Sequence, residues 1–381
     1  MSKIQARDGK GIVGASTHPD RQRIPRGEAR DIRGKDTVIR TFADAPASTT
    51  VSWGGQGIPQ VKDVYLFFWG EQWQTTPPPS PSAEDVFSDI VEILNSPYLS
   101  KLKQYFVRQN LSIAAAYMVK GGAGPNNGFS DWDVQQFVAN QILGYNIGFS
   151  LEAVYIVMMP PGIAPGDTSE NGAHSYVYST VGNADVHVAW VQYNTAGGRT
   201  RDNISEIFSH ELAEMLTDPE GDSLQVDPRN GSSWNEICDI CVSTARVNGV
   251  SVNSYWSDED KACVVPIDIP VKNRQITCIT KGVPLSNNPA DVRAAHLDPH
   301  LAIGTISGIS LETGQSFVRT QKEVIQDIQQ GMNYFVVGSD GSRAKVIVRI
   351  VFPPWHPQGV MCIATTPDRS VADNLLSLPQ C

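Results

Sequence analysis

His210, Glu211, Glu214 and Asp218 lie in one stretch, SHELAEMLTDP (209–219), and are residue types that bind divalent cations and move protons. A helix advances about 100° per residue, so Glu214 stands about 40° and Asp218 about 80° from His210. One face then presents an imidazole and two carboxylates, with Glu211 at its edge. Ile204, Ile207, Phe208, Leu212 and Met215 or Leu216 take the other face. In a His-Glu-x-x-His helix the two histidines hold zinc and the glutamate accepts a proton from the attacking water. Here Glu214 stands where the second histidine would be. A further ligand is expected downstream, and Glu236 and Asp239 in SSWNEICDIC are the acidic candidates, beside Asp218. One histidine with several carboxylates is a harder donor set than that of a zinc peptidase, so Ca2+ and Mn2+ stand beside Zn2+ as cofactors. The plain alternative is a helix with a solvated acidic face.

The elements that must position these residues are legible from patterning. VYLFFWG (64–70) reads as a buried strand, SAEDVFSDIVEILN as a helix capped by Ser82 or Ser80, and SIAAAYMV (112–119) as a strand. SDWDVQQFVANQIL (130–143) has a serine cap and helical spacing, and LEAVYIVMMP and VHVAWVQY (186–193) read as strands. DNISEIFSHELAEML is the motif helix, stopped by Pro219. Alternating strands and helices over 60–217 predict an α/β core. From about Ile269, glycine-punctuated strands such as QITCIT, YFVVGSDG and KVIVRIVF, with the helix TQKEVIQDIQQG, predict a small β-rich α+β domain. The expected division is a basic, largely disordered arm and linker over 1–58, a metal-binding domain over 59–268, and an accessory domain over 272–381.

The net charge of -10 argues against nucleic-acid binding, although residues 1–40 carry +5 locally. No run is long and apolar enough for a membrane span, and the N-terminal stretch lacks the apolar region of a signal peptide. Six cysteines permit disulfides. Cys362 and Cys381, both near the chain end, are expected to pair. His187 alternates with core residues and is read as structural. HLDPH (296–300) is read as a loop because its proline forbids a regular helix.

Read in order, VYLFFWGEQW, GAHSY, VAWVQY, SHELAEMLTDP, EICDIC and SYWSDEDKAC resemble the phosphate-induced, Exordium-like protein family over about residues 60–266. The resemblance implies a zincin-like fold with the motif helix beside the cleft. Carried over by position, it points to His174, His210, Glu211, Glu214, Asp218, Glu236 and Asp239, and to Cys241 with Cys263. Within it, His174 is either a metal ligand or the group that stabilises an oxyanion. The chain departs from the family in Cys238 and in its second domain, and residues 272–381 resemble a small bacterial domain of unknown function.

The expected function is that of a metal-dependent hydrolase, a peptidase acting on a peptide or protein. His210 and Glu214 hold the ion, Glu236, Asp239 or Asp218 completes the shell, Glu211 is the base and His174 assists. The alternative is a binding or structural protein on a degenerate zincin scaffold that recognises a surface glycan or protein. An extracellular or exported location is expected over a cytoplasmic one.

Overall fold

The computed structural model describes residues 5–6, 37–54, 60–107, 111–119, 124–144, 147, 150–179, 184–221, 223–228, 235–268, 273–281, 298–311, 313–329, 332–338, 341–353, 358–366 and 375–381. Strands β1 (Gln5–Ala6), β2 (Thr37–Phe42) and β3 (Thr50–Trp53) precede β4 (Asp63–Trp69), helix α1 (Ala83–Asn95), β5 (Ser112–Val119) and α2 (Asp131–Gly144). Then come β6 (Ala153–Met158), β7 (Gly172–Ser179), β8 (Ala184–Val191) and the motif helix α3 (Thr200–Thr217). Short strands follow: β9 (Leu224–Asp227), β10 (Thr244–Val247), β11 (Val250–Asn253), β12 (Tyr255–Ser257) and β13 (Ala262–Asp268). The last part holds β14 (Asn273–Lys281), β15 (Ile303–Ser310), β16 (Ser316–Thr320), α4 (Gln321–Gln329), β17 (Asn333–Val337), β18 (Arg343–Val351) and β19 (Val360–Thr365).

The main sheet runs in the order β1-β7-β8-β6-β4-β5. Strands β5, β4, β6 and β8 are parallel, and β7 turns back antiparallel beside β8. Central parallel strands are covered on both faces, which is why DVYLFFW and AVYIVM are apolar at nearly every position. Val64, Leu66 and Phe68 face α1 and α3, while Phe67 and Trp69 face α2. Stepping from β4 to β5 and then back to β6 reverses the crossover direction. Right-handed connections then put α1 and α2 on opposite faces of the sheet. A capping box starts α1: Asp85 accepts from the Ser82 backbone N–H at 2.9 Å, and the Asp85 N–H donates to Ser82 Oγ at 3.2 Å.

The fold is mixed α/β with a small β-rich C-terminal sheet, ordered β16-β15-β14-β17-β18-β19. This sheet packs against α1 and shares the main apolar core, one cluster whose members run from Ala45 to Leu378. Lys345 pairs with Glu92 of α1 at 2.6 Å, Arg349 approaches Glu84 at 3.5 Å, and the Gly359 N–H donates to the Ala116 carbonyl of β5 at 2.8 Å. The expected accessory domain is therefore docked on the main sheet's free edge and on α1.

Two expectations change. Residues 37–53 are not linker: β2 pairs with β13 and β3 with β9, because both runs alternate well enough to complete small sheets. The arm over 1–36, apart from β1, lies outside the described residues, as does His296. GAHSY lies on β7. Finally, Cys381 pairs with Cys278 and not with Cys362, which keeps a buried thiol on β19. The closing segment returns to β14, where the Ile279 N–H donates to the Pro379 carbonyl at 3.1 Å and the Cys381 N–H to the Ile279 carbonyl at 3.2 Å. The expected Cys241–Cys263 bond is present.

The Cys278–Cys381 bond closes a 103-residue separation. Long loops lose the most chain entropy when cross-linked, so Cys381→Ser is expected to cost about 2–4 kcal/mol. Denaturant titration under non-reducing conditions reads this directly, and an unmoved midpoint would remove the bond from the stability of the fold.

Candidate metal centre

The acidic face of α3 is not solvated. Ile204, Phe208, Leu212, Met215 and Leu216 bury the apolar side as the spacing predicts, but Glu211 and Glu214 are also buried, at 6% and 2% exposure. Strand β7 and the turn 237–240 cover them. On β7, Val177 lies with the α2-side core, so by alternation His174 lies on the α3 side. Gly172 permits the close approach: a Cβ there would stand 2.6 Å from both Glu211 Oε1 and Ile207 Cγ2. That contact gives the Gly-x-His spacing a physical cause.

The donors meet in two linked groups. His174 Nδ1 lies 3.5 Å from Glu211 Oε2, and its Nε2 lies 3.3 Å from Glu236 Oε1. His174 Nε2 also donates to the Asp218 backbone carbonyl at 3.0 Å. His210 Nε2 lies 3.0 Å from Glu214 Oε2 and 3.6 Å from Asp239 Oδ1. Glu214 Oε1 accepts the Cys238 N–H at 3.2 Å, which ties the turn to the helix. Three trios have donor atoms mutually within 4.8 Å: His210 with Glu214 and Cys238, His174 with Glu211 and Glu214, and Glu214 with Glu236 and Asp239. Glu214 belongs to all three.

The cluster is graded in depth. The His174, Glu211 and Glu214 side chains are 7%, 8% and 3% exposed, whereas Asp239 is 49% exposed and marks the mouth. Among the described residues the four carboxylates have only the two imidazoles as ionic partners. That excess of negative charge sets the protonation. Burial pulls His174 down, but Glu236 and Glu211 reverse this and hold it well above the ordinary histidine range. His210 behaves likewise through Glu214 and Asp239. Burial pushes Glu214 up to about 8 against the pull of His210. Asp239 is depressed, because its contacts with His210 outweigh its burial.

A cation fits this donor set. Two atoms bound to one zinc at about 2.1 Å with tetrahedral angles lie about 3.4 Å apart, the range of the imidazole–carboxylate pairs here. A divalent ion would also supply positive charge that, among the described residues, no lysine or arginine brings to these carboxylates.

Of the residues singled out by sequence, six converge: His174, His210, Glu211, Glu214, Glu236 and Asp239. Asp218 does not join them through its side chain. The helix ends at Thr217, and Asp218 takes φ -140° as the C-cap, so the helical wheel no longer applies there. Its Oδ1 accepts the Ser223 N–H at 2.5 Å, and its carbonyl orients His174. His187 enters no trio. Sequence reading missed Asn253, which sits 3.4 Å from His210 Nδ1 and donates to the Cys241 and Ser254 carbonyls. It also missed Cys238 as a candidate donor. Asn253 left no signal beyond its place in a short strand. Cys238 was visible only as half of a Cys-x-x-Cys pair whose other half is bonded to Cys263. A shallow hollow of about 680 Å³ beside Trp53, Tyr105 and Asp258 shares no residue with the cluster.

Comparison with known proteins reaches only the other end of the chain. Residues 275–379 match DUF3892, a protein family of unknown function. The match covers the C-terminal sheet and stops short of the cluster, and no Exordium-like or zincin family model matches. No curated protein matches the chain. No solved structure matches it either.

The raised values have one sign. Glu214, His174 and His210 keep their protons in the fold beyond the pH at which the unfolded chain releases them. Their contribution is full below the unfolded values and is lost as pH rises through the folded ones. Asp239 acts oppositely, but only below its ordinary value of 3.8. Protein held in chelator is therefore expected to melt at lower temperature as pH goes from about 5 to about 9. A Tm that rises across this window would contradict the protonation of the cluster.

Proposed function

We propose that the protein is a divalent-cation-dependent hydrolase acting on peptides. The observation that carries this reading is the convergence of six imidazole and carboxylate donors around the acidic face of α3, where among the described residues the four carboxylates have only the two imidazoles as ionic partners. His210 and Glu214 would hold the cation, with Asp239 or Glu236 completing its shell from the turn. Such an ion acidifies a water and polarises a carbonyl. Glu211, one residue along from His210 and buried, is the proton acceptor. The Asp218 carbonyl orients His174 by accepting its Nε2–H, with Nδ1 facing Glu211.

The layout supports a zincin-like reading: the donor helix packs under a sheet whose antiparallel edge region borders the cluster. Peptide is favoured as substrate because β7 accepts an extended backbone on its outer side. The chain's own Gln5 and Ala6 pair there antiparallel, opposite Tyr178 and Val177. A peptide added in the same way would run past His174. Two disulfides favour an oxidising, exported setting, and among the described residues no helix is long and apolar enough to cross a membrane.

A structural reading also has an observation behind it. The Glu214–Cys238 hydrogen bond and the histidine contacts stitch the turn, α3 and β7 together, so the cluster could serve as a brace. Glu211→Gln separates the two. With a peptide library as substrate, it is expected to lower turnover by about 100-fold or more while the His210-bound cation and the melting temperature are retained. Undiminished turnover would remove Glu211 as the proton acceptor. No hydrolysis by the cation-loaded wild type would leave the brace.

A further inference from the structure

Strand β3 pairs with β9 on one side, and among the described residues its other edge is unpaired. Hydrogen-bond parity shows which backbone groups that edge presents. Residues opposite each other in an antiparallel pair alternate between bonding across the pair and turning outward. The Gly54 N–H donates to the Ser223 carbonyl at 2.7 Å, so Ser52 and Thr50 also face β9, while Trp53 and Val51 face away. Val226, opposite Val51, agrees: it turns from β3 and exchanges two hydrogen bonds with Asn235, at 2.7 and 2.9 Å. Among the described residues nothing bonds the outward N–H and C=O groups of Val51 and Trp53. The hollow of about 680 Å³ runs along this strand, and β9 contributes nothing to its wall. Gln104, Tyr105, Asp258, Glu259 and Lys261 line it opposite the strand.

Two aromatic side chains mark the same place. Trp53 is 46% exposed and Phe106 63%, with ring centroids 5.8 Å apart. Phe106 ends the helical turn Tyr98–Tyr105 at φ 65°, the left-handed position that glycine or asparagine ordinarily takes. A bulky side chain is unfavourable there, and this one covers little of the fold, so its use is at the surface. Beside the hollow, three carboxylates share two ammoniums. Lys261 meets Asp258 at 2.5 Å, and Lys101 meets Glu259 at 3.2 Å and Asp260 at 2.9 Å. One negative charge is left over.

We propose that this edge is a second peptide site, at which an extended polypeptide segment adds to β3 as a strand. Its backbone bonds Val51 and Trp53, an apolar side chain rests on Trp53 and Phe106, and a lysine or arginine meets Asp258 and Glu259. The hollow falls in the range of about 300–1,000 Å³ usual for ligand sites. A sugar or a small aromatic compound would use the ledge but leave the backbone edge unmet. Neighbouring strands lie about 4.8 Å apart, so Asn235 stands roughly 10 Å from β3, and Glu236 of the cluster follows it. Binding here does not need the hydrolase reading; where that reading holds, the site grips a substrate away from the bond being cut.

The test is selection from a phage-displayed library of random linear heptapeptides on the full-length protein. Affinities are then read by fluorescence anisotropy of the labelled synthetic peptides. Glu211→Gln serves as a second bait, on which peptides stay intact. Both baits are expected to enrich peptides that pair an aromatic or large aliphatic residue with a lysine or arginine. Val51→Pro removes the outward N–H and leaves the bonds to β9, and Trp53→Ala removes the ledge; each is expected to weaken binding about tenfold or more. Phe106→Gly separates binding from structure. It relieves the left-handed conformation, so Tm should hold or rise while binding weakens about tenfold. A Phe106 that only packs would instead lower Tm and leave the affinity unchanged, which counts against the site. Circular dichroism checks each fold, and if Val51→Pro or Trp53→Ala does not fold, Phe106→Gly decides. No enriched peptide, or affinities unmoved by all three substitutions, would overturn the site and leave the hydrolase reading standing. Binding that the substitutions abolish, without hydrolysis by the cation-loaded wild type, would keep the site and overturn the hydrolase.

Discussion

The arrangement turns on one constraint: Glu211 and Glu214 are carboxylates taken out of water on a helix that also needs its other face buried. An ionised carboxylate in such a place must find hydrogen bonds, a proton or a cation. The surrounding chain is shaped by that need. Strand β7 reverses direction to bring His174 over Glu211. The turn 237–240 brings a backbone N–H to Glu214 and the Asp239 carboxylate to His210. The Cys241–Cys263 bond and the Trp256 N–H to Ile237 carbonyl bond, 2.8 Å, hold that turn to β12 and β13. Neither sheet strand nor turn would lie so close to the helix if the acidic face looked into solvent.

The same constraint explains small residues whose sequence signal is weak. Gly172 has no catalytic chemistry, yet any side chain there meets Glu211 and Ile207 at once. Ser209, fully buried on α3, accepts the Asn253 N–H at 2.9 Å and so places the Asn253 side chain beside His210. Buried polar groups of this kind fix one geometry because each alternative leaves a donor or acceptor unmet.

Legibility in the sequence followed the range of the forces involved. The central strands and α1, α2 and α3 were readable because apolar periodicity and caps are local. Five of the six donors were readable because they sit on one helix or in one short acidic stretch. His174 came only from a resemblance, since nothing local distinguishes a histidine on a strand that packs over an acidic helix face. The acidic face was expected to be either a site or solvated, and periodicity cannot decide that: what covers a helix is a tertiary fact. Asp218 was misplaced because a wheel assumes the helix continues, and Pro219 ends it one residue too soon. The partner of Cys381 was misjudged from nearness in sequence. Pairing with Cys278 depends on the last residues running back alongside β14, a contact across 103 positions.

The C-terminal sheet brings a different lesson about how the chain is built. Its match to DUF3892 begins at residue 275, yet its apolar face and that of the main sheet belong to one core, with α1 between them. Helix α1 is buried on nearly every side, including Asp89 and Glu92, which are bonded to Arg201 of α3 and Lys345 of β18. Those two pairs connect the cluster-bearing helix to the C-terminal sheet through a single intermediate element. Removing the sheet would expose the free edge of β5 and uncover one side of α1, both apolar. The region that carries the family match and the region that carries the donor cluster are thus separate in sequence and joined in one core.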